Sequence, residues 1–211
     1  TALTLAAADG FRLAVHKTEV LDAVPEKLSV IVPARTLQEV ERLIEGDEPI
    51  DIVVTPQKSQ VLFRLQNVEI VSQLIQGTFP NYSQLVPQEH TTRAIVDLGE
   101  LQRATRTASI FAKDGSGIIR IQMAPGASGA GTVTISSRAE ELGDNTGEIE
   151  AAVEGDEGKI AFNSRYLSDV LAVLGKDKVA MEMTTSSSPG VIKPVDSDNY
   201  IHVVMPMFVQ W

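Results

Sequence analysis

Residue types that perform catalysis or bind metals are sparse in this sequence, and none falls into a recognisable spacing. The three histidines, His16, His90 and His202, are isolated from one another, and no HExxH pattern is present. Cysteine is absent, which excludes disulfides, thiolate metal ligands and cysteine nucleophiles. No nucleophile can be paired with a base from the sequence alone. We therefore predict no catalytic residue, no metal site and no cofactor.

Three short segments have compositions typical of ligand-binding loops, but each is better interpreted as a turn. GASGAG at 126–131 is not followed by a helix whose N-terminus could face a phosphate, so a hairpin loop is favoured. DGSG at 114–117 is interpreted as a turn, and EGDEG at 154–158 lacks the ligand spacing of a calcium loop. A hydrolase that uses Asp9 and His16 is the least favoured hypothesis.

Composition is that of an ordinary globular protein. The 211 residues, 43% of them hydrophobic and 22% charged, suffice for one large domain or two of ordinary size. There is no apolar run near 18 residues and no signal-like start, which predicts a cytoplasmic protein without a membrane partner. The net charge of −10 argues against a protein coated in nucleic acid, although it does not exclude a local basic surface.

An internal repeat gives the clearest evidence about domain organisation. SVIVPARTLQEVERLI, at 29–44, matches KIAFNSRYLSDVLAVL, at 159–174, with an offset of 130 residues. TALTLAA at 1–7 lies over GTVTISS at 131–137 with the same offset. Each match predicts a strand, a loop and a second strand that enters a short amphipathic helix. A period this long indicates duplicated domains, because the units of a solenoid are much shorter.

The second copy can be divided into elements along its length. Its pattern predicts a helix over 98–111, a hairpin around 126–131 and a second helix that ends at Gly175. The alternation in IEAAV and in VAMEM predicts sheets with one wet and one covered face. The predicted strands cover 93–98, 116–123, 131–139, 147–155, 159–164, 178–185 and 200–207.

The first copy lacks counterparts for the strand and helix that open the second. Subtracting the offset from the helix at 98–111 gives negative positions, so we expect the chain to start in mid-domain, as a piece of a longer protein. A polar stretch with prolines at 80 and 87 separates the copies. We predict an incomplete first domain at 1–82 and a complete second domain at 83–211.

Five segments of the chain carry a resemblance to a known family. They are ADGFRLAV at 8–15, VPARTLQEVERLI at 32–44, GTFPNYSQLVP at 77–87, FNSRYLSDVL at 162–171 and VVMPM at 203–207. Together they resemble the bacterial replicative sliding clamp family, the beta subunit of the replicative DNA polymerase. The resemblance covers essentially the whole chain and implies an α+β fold of duplicated DNA-clamp domains, with antiparallel sheets outside and helices lining the inner face. Family members have three such domains, of which this chain resembles most of the second and all of the third.

The resemblance implies a DNA polymerase processivity factor that is not an enzyme. In the family, two chains form a homodimeric ring around duplex DNA, which is held without sequence preference. Replicative polymerase, clamp loader and repair enzymes bind through short linear motifs in a cleft between the second and third domains. The alternative hypothesis is a duplicated α+β protein-binding scaffold without a DNA role.

The resemblance also assigns the residues that line the peptide-binding cleft. Methionine suits such a surface, because its flexible thioether adapts to different bound sequences. This chain departs from the family at Phe11, where histidine is common, at Gln84, where a basic residue occurs, and in its FVQW tail, so the peptide preference stays open. The cleft residues are Ala8, Phe11, Leu13, Pro80, Gln84, Leu85, Val203, Val204, Met205, Pro206 and Met207.

Two further surfaces follow from the resemblance. A ring that slides along DNA needs phosphate contacts and no base contacts. The DNA-facing residues are Arg35, Arg103, Arg106 and Arg165. Arg42 and Lys113 are further helix-borne or helix-flanking cations. The same arginines are also compatible with an ordinary solvated surface balanced by glutamates. The subunit interface would contain Ile110, Phe111, Glu140 and Glu141, although Ile110 and Phe111 also fit the core face of their own helix.

Overall fold

The computed structural model describes residues 2–141, 143–175 and 177–211, apart from the side chain of Ser128. It divides into two compact units: a larger one, formed by the residues up to Asp22 together with Tyr82–Trp211, and a smaller one, Ala23–Asn81. None of the helices in the described ranges combines the length and the apolar character needed to cross a membrane.

The described residues form antiparallel strands and three α-helices. The helices are α1 Ala34–Leu43, α2 Leu98–Asp114 and α3 Ser164–Val173, with short 3-10 turns at Tyr82–Gln84 and Ala127–Gly129. The strands are β1 Ala2–Ala8, β2 Arg12–Glu19, β3 Asp51–Val54, β4 Gln60–Arg64, β5 Glu69–Gln73, β6 Thr92–Asp97, β7 Ile118–Pro125, β8 Ala130–Ala139, β9 Gly143–Gly155, β10 Gly158–Asn163, β11 Lys178–Met183, β12 Gly190–Pro194 and β13 Tyr200–Val204.

The smaller unit packs α1 against the three-stranded sheet β3-β4-β5. Pro33 precedes α1, and its fixed φ suits the start of a helix whose first amides need no intrahelical partner. In β4 the side chains alternate, so that Val61 and Phe63 are buried and join Val40 of α1 in the core. One apolar face on each element therefore accounts for the stability of this unit.

The larger unit is built on a ten-stranded antiparallel sheet in the order β1-β2-β13-β12-β11-β6-β9-β8-β7-β10. The main core contains residues of α2 and α3, which pack on one another, together with residues of strands β6 to β13. Asp97 caps α2 by accepting from the Glu100 amide at 2.8 Å, and Asn163 caps α3 by accepting from the Arg165 amide at 2.9 Å. Short polar caps thus mark where each strand turns into a helix.

The repeat seen in the sequence recurs in the elements. The same offset of 130 residues separates both ends of α1 (Ala34–Leu43) from those of α3 (Ser164–Val173). It also relates both ends of β4, Gln60–Arg64, to those of β12, Gly190–Pro194. The predicted α+β fold with duplicated units and antiparallel sheets is confirmed.

The strand predicted before α1 is not formed, which corrects the sequence interpretation. Residues 28–33 contain only an isolated bridge between Ile31 and Ile75, whereas their counterpart β10 pairs along its whole length with β7. A strand needs a hydrogen-bonded neighbour, and among the described residues this segment pairs only at Ile31, so the same apolar pattern gives an irregular segment here.

The prediction that VAMEM has one solvent-exposed face is wrong. For IEAAV in β9 the predicted alternation of buried and exposed residues is confirmed. Strand β11 lies between β12 and β6, and both of its faces are covered. Glu182 is buried on the face away from α2 and α3, where its carboxylate meets Arg93 Nε at 3.2 Å and Lys193 Nζ at 3.0 Å. A carboxylate that is paired with cations can be buried, so the alternation of apolar and polar residues in VAMEM does not place Glu182 in solvent. Strand β12, which carries Lys193, was also missing from the sequence prediction.

We expect Glu182→Ala to destabilise the larger unit by about 2 kcal/mol, because it leaves Arg93 and Lys193 partly buried without their carboxylate. Chemical denaturation monitored by circular dichroism gives the free energy of unfolding. Glu154→Ala is the matched control, since Glu154 meets the same Arg93 at 3.6 Å but its side chain is 63% exposed, against 10% for Glu182. Equal losses in the two variants would contradict a structural role for the buried carboxylate.

Candidate functional site

The floor of the candidate groove is a small apolar cluster on the sheet face away from α2 and α3. Leu13 of β2 lies directly opposite Val203 of β13, and Val203 lies opposite Val191 of β12. All three are buried and form one cluster with Val15. Tyr82, from the 3-10 turn, also packs on this cluster and is itself half-buried.

The rim of the groove exposes large apolar side chains. Phe11, Leu85 and Met205 are 58%, 52% and 43% exposed. The Met205 amide donates to the Phe11 carbonyl at 2.8 Å, and the Met207 amide donates to the Ala161 carbonyl at 2.7 Å. These bonds hold the segment after β13 in place although it is no longer a strand. An apolar surface of this kind is suited to burying apolar anchors of a ligand.

The turn from Asp9 to Arg12 carries Phe11 and is held by a network of charged groups. Asp9 Oδ1 accepts from the amides of Phe11 and Arg12 at 3.0 and 3.1 Å. Arg12 donates from Nε to Asp9 Oδ2 at 2.9 Å and from Nη1 to Asp169 Oδ2 at 2.6 Å. Its guanidinium lies 4.5 Å from the ring centroid of Tyr166, which also stacks with Phe11 at 6.2 Å. The turn is therefore joined to α3 by both charge and ring contacts.

The Asp9 and His16 hypothesis finds no support in this geometry. Burial alone would raise the pKa of Asp9, but the bonds from Arg12 and from the Phe11 amide together lower it below its ordinary value. A carboxylate of lowered pKa is a poor general base. His16 lies beside Tyr200, with ring centroids 6.2 Å apart. Within the described residues, no group of three or more His, Asp or Glu side chains is arranged to hold a metal ion.

His202 is a buried titratable group beneath the turn. Its Nδ1 shares a hydrogen bond of 2.8 Å with the Tyr200 hydroxyl, while Nε2 is buried without a partner among the described residues. Burial and the positive charge of Arg12 lower the pKa of His202 to about 4, with Asp9 and Asp169 opposing that shift. The ring is thus neutral near pH 7, and it packs as a polar but uncharged side chain.

Among the predicted cleft residues, Ala8 lies opposite Leu13, Leu13 lies opposite Val203, and Met205 is hydrogen-bonded to Phe11. Val204 is fully buried in the main core, because successive residues of β13 point to opposite faces of the sheet. It can support the groove from behind but cannot contact a bound peptide, which corrects its assignment to the floor. Pro80 is exposed and belongs to the smaller unit. The remaining cleft residues belong to the larger unit, and of these Ala8 and Gln84 are exposed, Pro206 is buried and Met207 is half-buried.

Sequence reasoning missed Arg12, Tyr82, Val86 and Tyr166 as groove residues. Tyr82 and Val86 lie within the FPNYSQLV segment that was singled out, so their place in the motif was a usable signal. Arg12 and Tyr166 meet only because the turn after β1 lies against α3. No spacing along the chain indicates that contact.

The four arginines predicted to face DNA have no acidic partner among the described residues. Arg35, Arg103, Arg106 and Arg165 are exposed on the three helices, and within the described part of the chain none of them forms an ion pair. In contrast, the helix-borne Arg42 is paired with Glu39 at 2.8 Å. Cations without an acidic partner keep their full charge for an external anion.

The predicted interface residues lie at the end of α2 and in the turn after β8. Ile110 is 60% exposed, so its alternative assignment to the core face of α2 is wrong. That face consists of Leu98, Leu101, Thr105, Ala108 and Ala112. Phe111 is half-buried, and Glu140 and Glu141 are exposed.

Comparison with protein families identifies both halves of the chain. Residues 1–81 match the model of the DNA polymerase III beta subunit, central domain, and residues 83–208 match that of its C-terminal domain. The chain belongs to the beta sliding clamp family. The beta sliding clamp of Staphylococcus aureus is 33% identical over 208 residues, covering 97% of this chain and 53% of the relative. The chain thus spans about half the length of the curated relatives it matches.

Solved clamp structures share the fold. The Bacillus subtilis DNA polymerase sliding clamp superposes with a TM-score of 0.91 at 28% identity, covering 99% of this chain and 54% of that one. The Pseudomonas aeruginosa clamp gives 0.89 at 27% identity, covering 99% and 56%. The resemblance to the sliding clamp family inferred from the sequence is confirmed.

We expect acid to destabilise the larger unit through His202. Because its pKa is about 4 when folded and near 6.5 when unfolded, its contribution to stability is complete above pH 6.5. That contribution is lost as the pH falls from 6.5 to 4, by about 3 kcal/mol at most. Unfolding measured between pH 7 and 4.5 should therefore depend less on pH in His202→Gln than in the parent. Equal slopes in His202→Gln and in the parent would refute the assignment.

Proposed function

We propose that this chain acts within a DNA polymerase processivity factor, a ring-forming sliding clamp. In this proposal the ring encircles duplex DNA without reading its sequence and tethers polymerase, clamp loader and repair enzymes in the cytoplasm, without catalytic residues of its own. One observation carries the assignment: consecutive beta-subunit domain models match residues 1–81 and 83–208. We propose a domain boundary at 82/83, within the polar stretch that separates the two copies.

The chemistry of the groove supports the capture of linear peptides. A bound segment would bury apolar anchors on Phe11, Leu85 and Met205, above the buried floor of Leu13 and Val203. Ala8, Gln84, Pro206 and Met207 complete the proposed site, with Val204 as a support. Preformed apolar grooves are a general means of peptide recognition. A related clamp, from Pseudomonas aeruginosa, has been solved bound to griselimycin, and we propose that the groove of this chain can accept such a ligand.

The charge distribution supports non-specific contact with DNA. The four unpaired helix arginines, Arg35, Arg103, Arg106 and Arg165, can meet phosphates, while the net charge of −10 disfavours tight binding elsewhere. The scaffold alternative has no role for these unpaired cations. For the homodimer, we propose that Ile110 and Phe111 are buried against a second subunit, with Glu140 and Glu141 facing basic residues.

We expect Met205→Ala to weaken binding of a linear peptide with leucine and phenylalanine anchors by about tenfold, because an exposed apolar contact of the rim is removed. Fluorescence anisotropy of the fluorescein-labelled peptide gives the dissociation constant. Met207→Ala should weaken binding less, since Met207 is half-buried.

The matched control is Val173→Ala, which truncates an exposed apolar side chain on α3 outside the groove. It should bind as tightly as the parent. Unchanged binding by both methionine variants would show that the groove is wrongly assigned.

We expect binding of this chain to plain duplex DNA to be weak and lost at about 0.15 M salt, since only a few phosphate contacts are available. Arg103→Glu/Arg106→Glu should weaken whatever binding a titration detects at about 0.01 M salt, where the Debye length is near 30 Å. Arg64→Glu/Arg138→Glu changes the net charge equally at paired arginines outside the helices and is the control. Sequence preference, or tight binding that survives 0.15 M salt, would contradict a purely phosphate-based contact.

A further inference from the structure

We propose that Arg12 is a positioning residue for peptide binding, because it holds Phe11, at the rim of the groove, against α3. The inference rests on the proposed peptide-binding function. Arg12 is placed between two predicted cleft residues in the sequence, yet its own side chain points to other partners. It acts on the peptide through Phe11 and Tyr166.

Both polar groups of the Phe11 backbone, its amide and its carbonyl, are hydrogen-bonded to neighbouring residues. Its amide donates to Asp9 Oδ1 at 3.0 Å, and its carbonyl accepts from the Met205 amide at 2.8 Å. Asp9 is in turn held by Arg12 Nε at 2.9 Å. The location of the Phe11 ring therefore depends on a carboxylate that Arg12 fixes.

Arg12 connects this turn to α3 by two independent contacts. Its Nη1 donates to Asp169 Oδ2 at 2.6 Å, and its guanidinium faces the Tyr166 ring at 4.5 Å. Tyr166 stacks with Phe11, with 27° between the ring planes. Asp169 and Tyr166 belong to the same helix. A single guanidinium therefore sets both the distance between the turn and α3 and the position of the Tyr166 ring beside Phe11.

The contact requires an arginine. A planar guanidinium can bond two carboxylates at its edge while its face covers an aromatic ring, whereas the ammonium of lysine acts as one point charge. The bond to Asp169 raises the already high pKa of Arg12, so the guanidinium is charged near neutral pH. With two nitrogens bonded and one face covered, Arg12 is already engaged before any peptide arrives.

The decisive experiment is a double-mutant cycle on the full 211-residue chain, with the fluorescein-labelled leucine and phenylalanine peptide as probe. We expect Arg12→Met to lower the affinity about tenfold in the parent, but less than about twofold in a Phe11→Ala background, because there is no ring left to position. Arg12→Lys should give an intermediate loss. Asp169→Asn, which leaves Arg12 and Asp9 intact, should reproduce part of the loss.

Arg138→Met is the matched control, since it removes an arginine that is paired with Asp144 at 3.5 Å in the same unit. It should bind like the parent, and melting curves should show that every variant is folded. If Arg12→Met binds like the parent, or lowers affinity equally with and without Phe11, Arg12 has no positioning role. If the parent itself fails to bind the peptide, the proposed function of the groove fails first.

Discussion

The pairing of β2 with β13 is the interaction on which the candidate site depends. It joins the first hairpin of the chain to its last strand, with Leu13 opposite Val203 and Arg12 opposite Val204. Loop closure over so many residues is costly in entropy, and the long antiparallel ladder together with the buried cluster around Leu13 offsets that cost. Without this pairing, Phe11 and Met205 would not be neighbours, and the groove would have neither floor nor rim.

The same pairing determines which side chains are available for binding. Alternation along β13 sends Val203 to the groove side and Val204 to the helix-packed core, although both are valines in one short motif. His202 also faces inward, where burial and the nearby Arg12 keep it neutral. Every second residue of the last strand therefore faces the core and the others face the groove, and the segment after the strand begins with the exposed Met205.

Arginine has two distinct uses in this protein. Arg12 and Arg93 are partly buried and fixed by carboxylates, so they stabilise the turn and the sheet. Arg103 and Arg106 lie exposed on α2 without an acidic partner among the described residues. Pairing removes most of a charge's long-range field, and an unpaired exposed charge retains it. A net charge of −10 is thus compatible with a local phosphate-binding surface.

The sequence alone determined the duplicated organisation and both helices of the second copy. These features are local patterns: the spacing of apolar residues, and a repeat whose offset recurs in α1 and α3. The start of a helix is set by residues adjacent to it in the chain, which is why it could be predicted.

Only the tertiary structure decided the features that depend on a distant partner. Residues 28–33 and β10 share an apolar pattern, yet among the described residues β10 pairs along its length with β7 whereas 28–33 form a single bridge. Glu182 alternates like a solvent-facing residue, but Arg93 and Lys193, from two flanking strands, allow it to be buried. Arg12 meets Asp169 and Tyr166 across more than 150 residues of sequence. Such contacts depend on how the chain returns to itself, because the free energy of a strand pair or an ion pair belongs to both partners and is not encoded in either segment alone.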